Sequence, residues 1–119
     1  DAMLMMAIAL RSGRVSAFRW VETTDDRATI EITVDGRAIP YTWTIQTAEK
    51  AGLYPVRGDG AAYSPWMKYT RVMLRWRAVS EVLRANVPEA VTGLYSYGEI
   101  SEIDEEDVRR GLDVEKAVS

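Results

Sequence analysis

Ala28-Thr29-Ile30-Glu31-Ile32-Thr33-Val34, followed at once by Asp35-Gly36, is the most legible stretch of this chain. Successive side chains of a strand point to opposite faces. Ala28, Ile30, Ile32 and Val34 therefore share one face, and Thr29, Glu31 and Thr33 share the other. Asp-Gly tolerates the positive φ angles that a two-residue hairpin turn needs. The next strand is expected over Ala38 to Thr44, with Pro40 marking an edge or an irregular point. Upstream, Val15 to Glu22 alternates more weakly, and Thr23-Thr24-Asp25-Asp26 forms a turn cluster. Together these segments predict a three-stranded antiparallel meander.

Helical signals surround the meander. Ala2 to Arg11 predicts an N-terminal helix, with Asp1 as its cap and Gly13 as its stop. That helix is apolar on nearly every side, so it is expected to be sandwiched in the core. Thr44 is placed to cap a short helix over Ile45 to Ala51, which Gly52 ends. Leu53 to Pro65, with Gly58, Gly60 and two prolines, is expected to be a mobile loop. From Trp66 or Met67 onward the spacing predicts one long helix that ends near Pro88. Its apolar stripe runs through Tyr69, Val72, Met73, Trp76, Val79, Leu83 and Val87. The fold class expected is α+β, with a three-stranded antiparallel meander, a long basic amphipathic helix packed on one face, and an N-terminal helix. Residues 1–100 form the expected domain and residues 101–119 an acidic C-terminal tail, with one short helix over Asp104 to Arg110 or no fixed structure.

The 119 residues suit one domain with one core. Ala2 to Leu10 is too short to span a bilayer, and it lacks the basic flank and cleavage site of a signal peptide. Asp1-Ala2-Met3 reads as the interior of a longer protein. Cys and His are absent. Disulfides, thiolate or imidazole metal sites and Ser-His or Cys-His nucleophile pairs are thereby excluded. Absence of Cys suits the cytoplasm.

The formal charge of −3 is unevenly spread. Residues 1–98 carry twelve Lys/Arg against ten Asp/Glu, and residues 99–119 carry three against eight, so the body is +2 and the tail −5. The long helix carries Lys68, Arg71, Arg75, Arg77 and Arg84 against Glu81 alone. Lys68, Arg71 and Arg75 fall on one side, and Arg77 and Arg84 on another. Such a surface neutralises a row of phosphates. Its plainer alternative is a solvated face in which Arg77 pairs with Glu81 at i+4.

Aromatic rings interleave with these cations, a pattern suited to single-stranded nucleic acid, whose bases stack on rings. Trp66 and Tyr63, at the loop edge, are the stacking candidates. Trp76 and Tyr69 lie on the apolar stripe and are expected in the core, as are Trp20 and Trp43. Asp25-Asp26 reads as a turn. Asp104-Glu105-Glu106-Asp107 lacks ligand spacing and reads as a solvated helix start rather than a cation site. Gly58-Asp59-Gly60 lacks the pattern that a phosphate-binding loop needs. No metal and no cofactor is expected.

Tyr41-Thr-Trp-Thr-Ile-Gln-Thr-Ala-Glu-Lys-Ala-Gly-Leu53 is followed by Ser64-Pro-Trp-Met-Lys-Tyr69, Val72-Met-Leu-Arg-Trp-Arg-Ala-Val-Ser80 and Arg84. Pro88-Glu-Ala-Val-Thr-Gly-Leu-Tyr95 and Gly98-Glu-Ile100 close the series. In order and spacing these motifs, with Asp1-Ala-Met-Leu4 before them, resemble phage recombinases of the RecT kind, which anneal single strands. The resemblance covers most of residues 1–100. Two departures are Thr70, where the family often has Pro, and the insertion-like segment Gly58 to Ala62.

The resemblance implies single-stranded DNA binding, assembly into rings or filaments, and annealing without ATP or covalent catalysis. It also implies an annealed duplex intermediate, an exonuclease partner and the cytoplasm of a bacterial host. Lys68, Arg77 and Arg84 match the motif as backbone contacts, while Arg71 and Arg75 join them on charge alone. DNA is expected in a groove between the hairpin and the basic face of the long helix. The rival expectation is a protein-interaction module that the acidic tail regulates. A magnesium-dependent hydrolase built on carboxylates is a second rival.

Overall fold

The computed structural model describes residues 2–92. The Asp1 cap, the Gly93-Leu94-Tyr95 segment and the acidic tail lie outside the described residues. Three antiparallel strands form one sheet in the order β1-β2-β3: β1 (Val15–Thr23), β2 (Arg27–Val34) and β3 (Arg37–Thr44). The meander is the one its alternation predicts, each boundary within a residue. Ala28, Ile30, Ile32 and Val34 are all buried, so this row of β2 faces the core. Asp35 and Gly36 sit at φ +50° and +81°, the positive pair that a tight hairpin turn requires. Pro40 lies in an edge strand, opposite Glu31, where a residue without an N–H is tolerated.

Helix α1 (Ala2–Arg11) ends at Gly13, whose φ is +83° and whose N–H bonds to the carbonyl of Leu10. It is not sandwiched. Ala2, Met3, Met5, Met6 and Ala9 are buried, but Ala7 and Leu10 are exposed, so a single face meets the core. Helix α2 (Ile45–Lys50) is capped by Thr44, whose hydroxyl accepts from the Thr47 N–H at 3.2 Å. Gly52 follows at φ +76°. The next segment contains a 3-10 turn, Ala61–Tyr63, and is therefore not wholly irregular.

The long helix is two helices. Helix α3 (Pro65–Lys68) is one turn, and α4 (Thr70–Asn86) is the main helix. Tyr69 separates them at φ −130°, ψ 48°, outside helical values. The Thr70 hydroxyl donates to the Trp66 carbonyl at 2.7 Å, taking the acceptor that a continuous helix would offer to a backbone N–H. Beyond Val87 the chain turns helical again over residues 88–92. Pro88 thus opens a new turn as well as ending the old one.

The buried side of α4 also differs from the stripe that spacing suggested. Leu74, Ala78, Val79, Val82 and Leu83 are buried, whereas Val72, Met73 and Trp76 are half-buried and Tyr69 is half exposed. The reason is two-sided cover. Helix α4 packs on β2 and β3 and also against α1, which itself lies along β1. A helix covered from two directions buries a wider arc than one seam. Both helices thus lie on the core-facing side of the sheet. The opposite side carries Thr29, whose hydroxyl bonds that of Thr42 at 2.8 Å, and the Arg19–Glu31 ion pair at 3.1 Å.

Arg14 ties the two halves of the fold together. It meets Asp35 of the hairpin turn at 3.3 Å, pairs with Glu89, and donates to the Asn86 carbonyl at 3.3 Å. Its hydrogen bond to Asp35 raises its pKa above the ordinary value.

Candidate nucleic-acid interface

The five cations do not form one row. Lys68 belongs to α3 and the other four to α4. At 3.6 residues per turn, Arg77 and Arg84 are close in angle, while Arg71 lies about 120° around the helix from Arg77. The division into two groups therefore stands, but Lys68 leaves the first of them because the break at Tyr69 resets the helical phase.

Each cation has its own surroundings. Lys68 is exposed and places its Nζ 5.5 Å from the centroid of the Tyr69 ring. Arg71 Nε lies 3.5 Å from Asp25, which fixes the first turn of α4 beside the β1–β2 turn. Arg75 is half-buried. The Arg77 guanidinium lies over the Trp43 ring, 5.8 Å from its centroid. Arg84 meets Glu81 at 3.6 Å, a pair three residues apart. Glu81 therefore serves Arg84, and the i+4 pairing with Arg77 does not form. Arg77 turns instead to the indole on β3, where a cation meets the electron-rich ring face.

Trp66 is not a stacking platform. It is 8% exposed and packs into the core. Pro65 at the first position of α3 starts the helix so that Trp66 turns inward. Tyr69, expected in the core, is 50% exposed instead, and Tyr63 is 82% exposed. The expected groove between helix and hairpin is closed. Helix α4 packs directly on β2 and β3, and Leu74, Ala78, Ala28 and Ile30 on these elements are all fully buried.

Cations that the helix pattern does not reveal join the set. Lys68, Arg77, Arg27, Lys50 and Arg57 have no carboxylate partner among the described residues. Arg27 opens β2 opposite Thr44, and the Ile45 N–H bonds the Asp26 carbonyl at 2.7 Å. The β1–β2 turn, the start of α2 and the first turn of α4 thus meet at one end of the sheet. Sheet register, not sequence spacing, brings Arg27 opposite Thr44.

The indole N–H groups of Trp20, Trp43 and Trp76 are buried without a hydrogen-bond partner among the described residues. Each such donor has a desolvation cost that its ring's burial must offset. Among the described residues no three acidic side chains gather into a cation site. The Asp104–Asp107 run lies outside them. No described helix is long and apolar enough to cross a membrane.

Comparison with protein-family models, with characterised proteins and with solved structures finds no match for this chain.

Proposed function

We propose that this protein binds single-stranded DNA and anneals complementary strands without ATP, as in phage-type homologous recombination. In this reading it acts as a homo-oligomer, ring or filament, in the cytoplasm of a bacterial host. It holds the annealed duplex as an intermediate and works beside an exonuclease. It catalyses no bond chemistry.

The observation that carries the reading is that Lys68 and Arg77, two of the three cations matched by the RecT-like motifs, have no carboxylate partner among the described residues. A cation already neutralised gains little from a phosphate, whereas a free one displaces counterions from the strand. The third, Arg84, is held among the described residues by a partly exposed pair with Glu81, and exposed pairs contribute roughly 0–1 kcal/mol. Exchange of Glu81 for a phosphate therefore costs little.

The test is the combined variant Lys68→Ala, Arg77→Ala, Arg84→Ala, with circular dichroism to verify the fold. Fluorescence anisotropy should show weaker binding of a labelled single strand. The slope of log affinity against log salt should flatten by about two, from roughly 0.7 for each phosphate no longer neutralised. An intact fold with unchanged affinity and slope would remove the assignment.

A second reading, a protein-interaction module regulated by the acidic tail, draws on the exposed side chains of Tyr63, Met67 and Tyr69. Aromatic residues and Met are enriched in protein interfaces. Failure of the assembled protein to retard single-stranded DNA at low salt would favour it.

A further inference from the structure

Tyr63 and Tyr69 flank α3, one at each end. Tyr63 closes the 3-10 turn, its N–H bonded to the Gly60 carbonyl at 3.0 Å, and its side chain is almost wholly in solvent. Tyr69 is the pivot between α3 and α4, half exposed, with the Lys68 ammonium against its ring. Between the two tyrosines stands a helix of four residues, about 6 Å long.

We infer that Tyr63 and Tyr69 are a stacking platform for two unpaired bases of a single strand, with Lys68 and Arg57 as its phosphate contacts; this rests on the nucleic-acid reading above. Four observations bear on it. Burial of Trp66 pins α3 to the core, so the rings stand on a fixed element. The Ser64 carbonyl accepts from Met67 and Lys68 N–H groups at 3.0 and 2.8 Å, which holds the first turn of α3 against its approach. Met67 is itself exposed, and its sulfur accepts from the Val56 N–H at 3.4 Å, tying the preceding loop to α3. Lys68 and Arg57 are both exposed and have no carboxylate partner among the described residues.

Rings of this kind take any base, because every base has a π-face. The platform therefore selects for unpaired strands without selecting sequence. In a duplex the bases already stack on one another and offer the rings nothing. This is the discrimination an annealing protein needs: it grips a strand that lacks a partner and loosens its hold on the bases once they pair.

Anisotropy with a labelled thymidine homopolymer, beside a duplex of equal length, tests the platform. Tyr63→Ala and Tyr69→Ala should each weaken homopolymer binding about tenfold. Duplex binding and the salt slope should stay unchanged, because no charge is removed. Tyr63→Phe and Tyr69→Phe should restore wild-type affinity, since the ring and not the hydroxyl does the stacking. Lys68→Gln should do the reverse, lowering the salt slope while leaving single-strand preference in place. Alanine variants that bind the homopolymer as wild type does would overturn the platform and leave the nucleic-acid reading standing. A wild-type protein that fails to bind it at low salt would overturn both.

Discussion

Tyr41 lies on β3 opposite Ile30, on the side of the sheet that α4 covers. Burial, with Glu81 adding to it, raises its phenol above the ordinary value near 10. The folded state thus holds this proton more tightly than the unfolded chain does. The stability so contributed is complete below about pH 10 and is lost as pH rises through the folded value. Tyr41→Phe has no proton to lose, so its denaturation midpoint should fall less steeply above about pH 10 than that of wild type. Equal slopes would mean that the phenol is not held in its neutral form. Other residues were legible in part. Thr44 as a cap and Asp35-Gly36 as a turn follow from local chemistry, which sequence displays directly. Trp66 and Tyr69 exchanged their expected places: Trp66 is buried on α3, and Tyr69 stands at the non-helical junction that breaks the apolar stripe.

At the scale of elements, the meander was readable because a period of two and a turn dipeptide specify it within a few residues. The break between α3 and α4 was not, since apolar spacing runs across it without interruption. At the break a side-chain hydroxyl takes the carbonyl that a helical N–H would use. Thr70 is the first residue of α4, a position where a proline's missing N–H is not needed. Thr70→Pro should therefore fold normally, with stability changed by no more than about 1 kcal/mol as measured by urea denaturation. A loss of about 3 kcal/mol or more would mean that residues 66–86 behave as one continuous helix. The candidate interface was the least legible element. Lys68, Arg77 and Arg84 were proposed from motif resemblance and Tyr63 from its place at the loop edge, but Arg57 and the exposure of Tyr69 depend on how a loop meets a four-residue helix.

Across the whole molecule, charge is divided more sharply than the net −3 suggests. Residues 1–98 stand at +2 and residues 99–119 at −5. An anionic segment tethered to a cationic body competes with any nucleic acid for the same cations, and salt screens that competition. Removal of residues 101–119 should tighten single-strand binding at low salt and change it little at high salt, measured by titration across salt concentrations. Unchanged affinity at every salt would leave the tail only a solubility role. The two-layer arrangement itself, with both helices on one side of the sheet, was foreseeable only for the long helix. The place of α1 is set by packing against α4, which joins chain segments far apart in sequence.

The strand order β1-β2-β3 repeats the order of the chain, so each strand meets its partner by closing a short turn. Short loops close at little entropic cost and early in time. The bonds of Arg14 with Asn86 and Glu89 instead join residues 72 and 75 apart. The consequence is entropic. The meander's contacts close over short loops, whereas docking of α4 onto the sheet orders a far longer stretch of chain and carries the larger closure entropy.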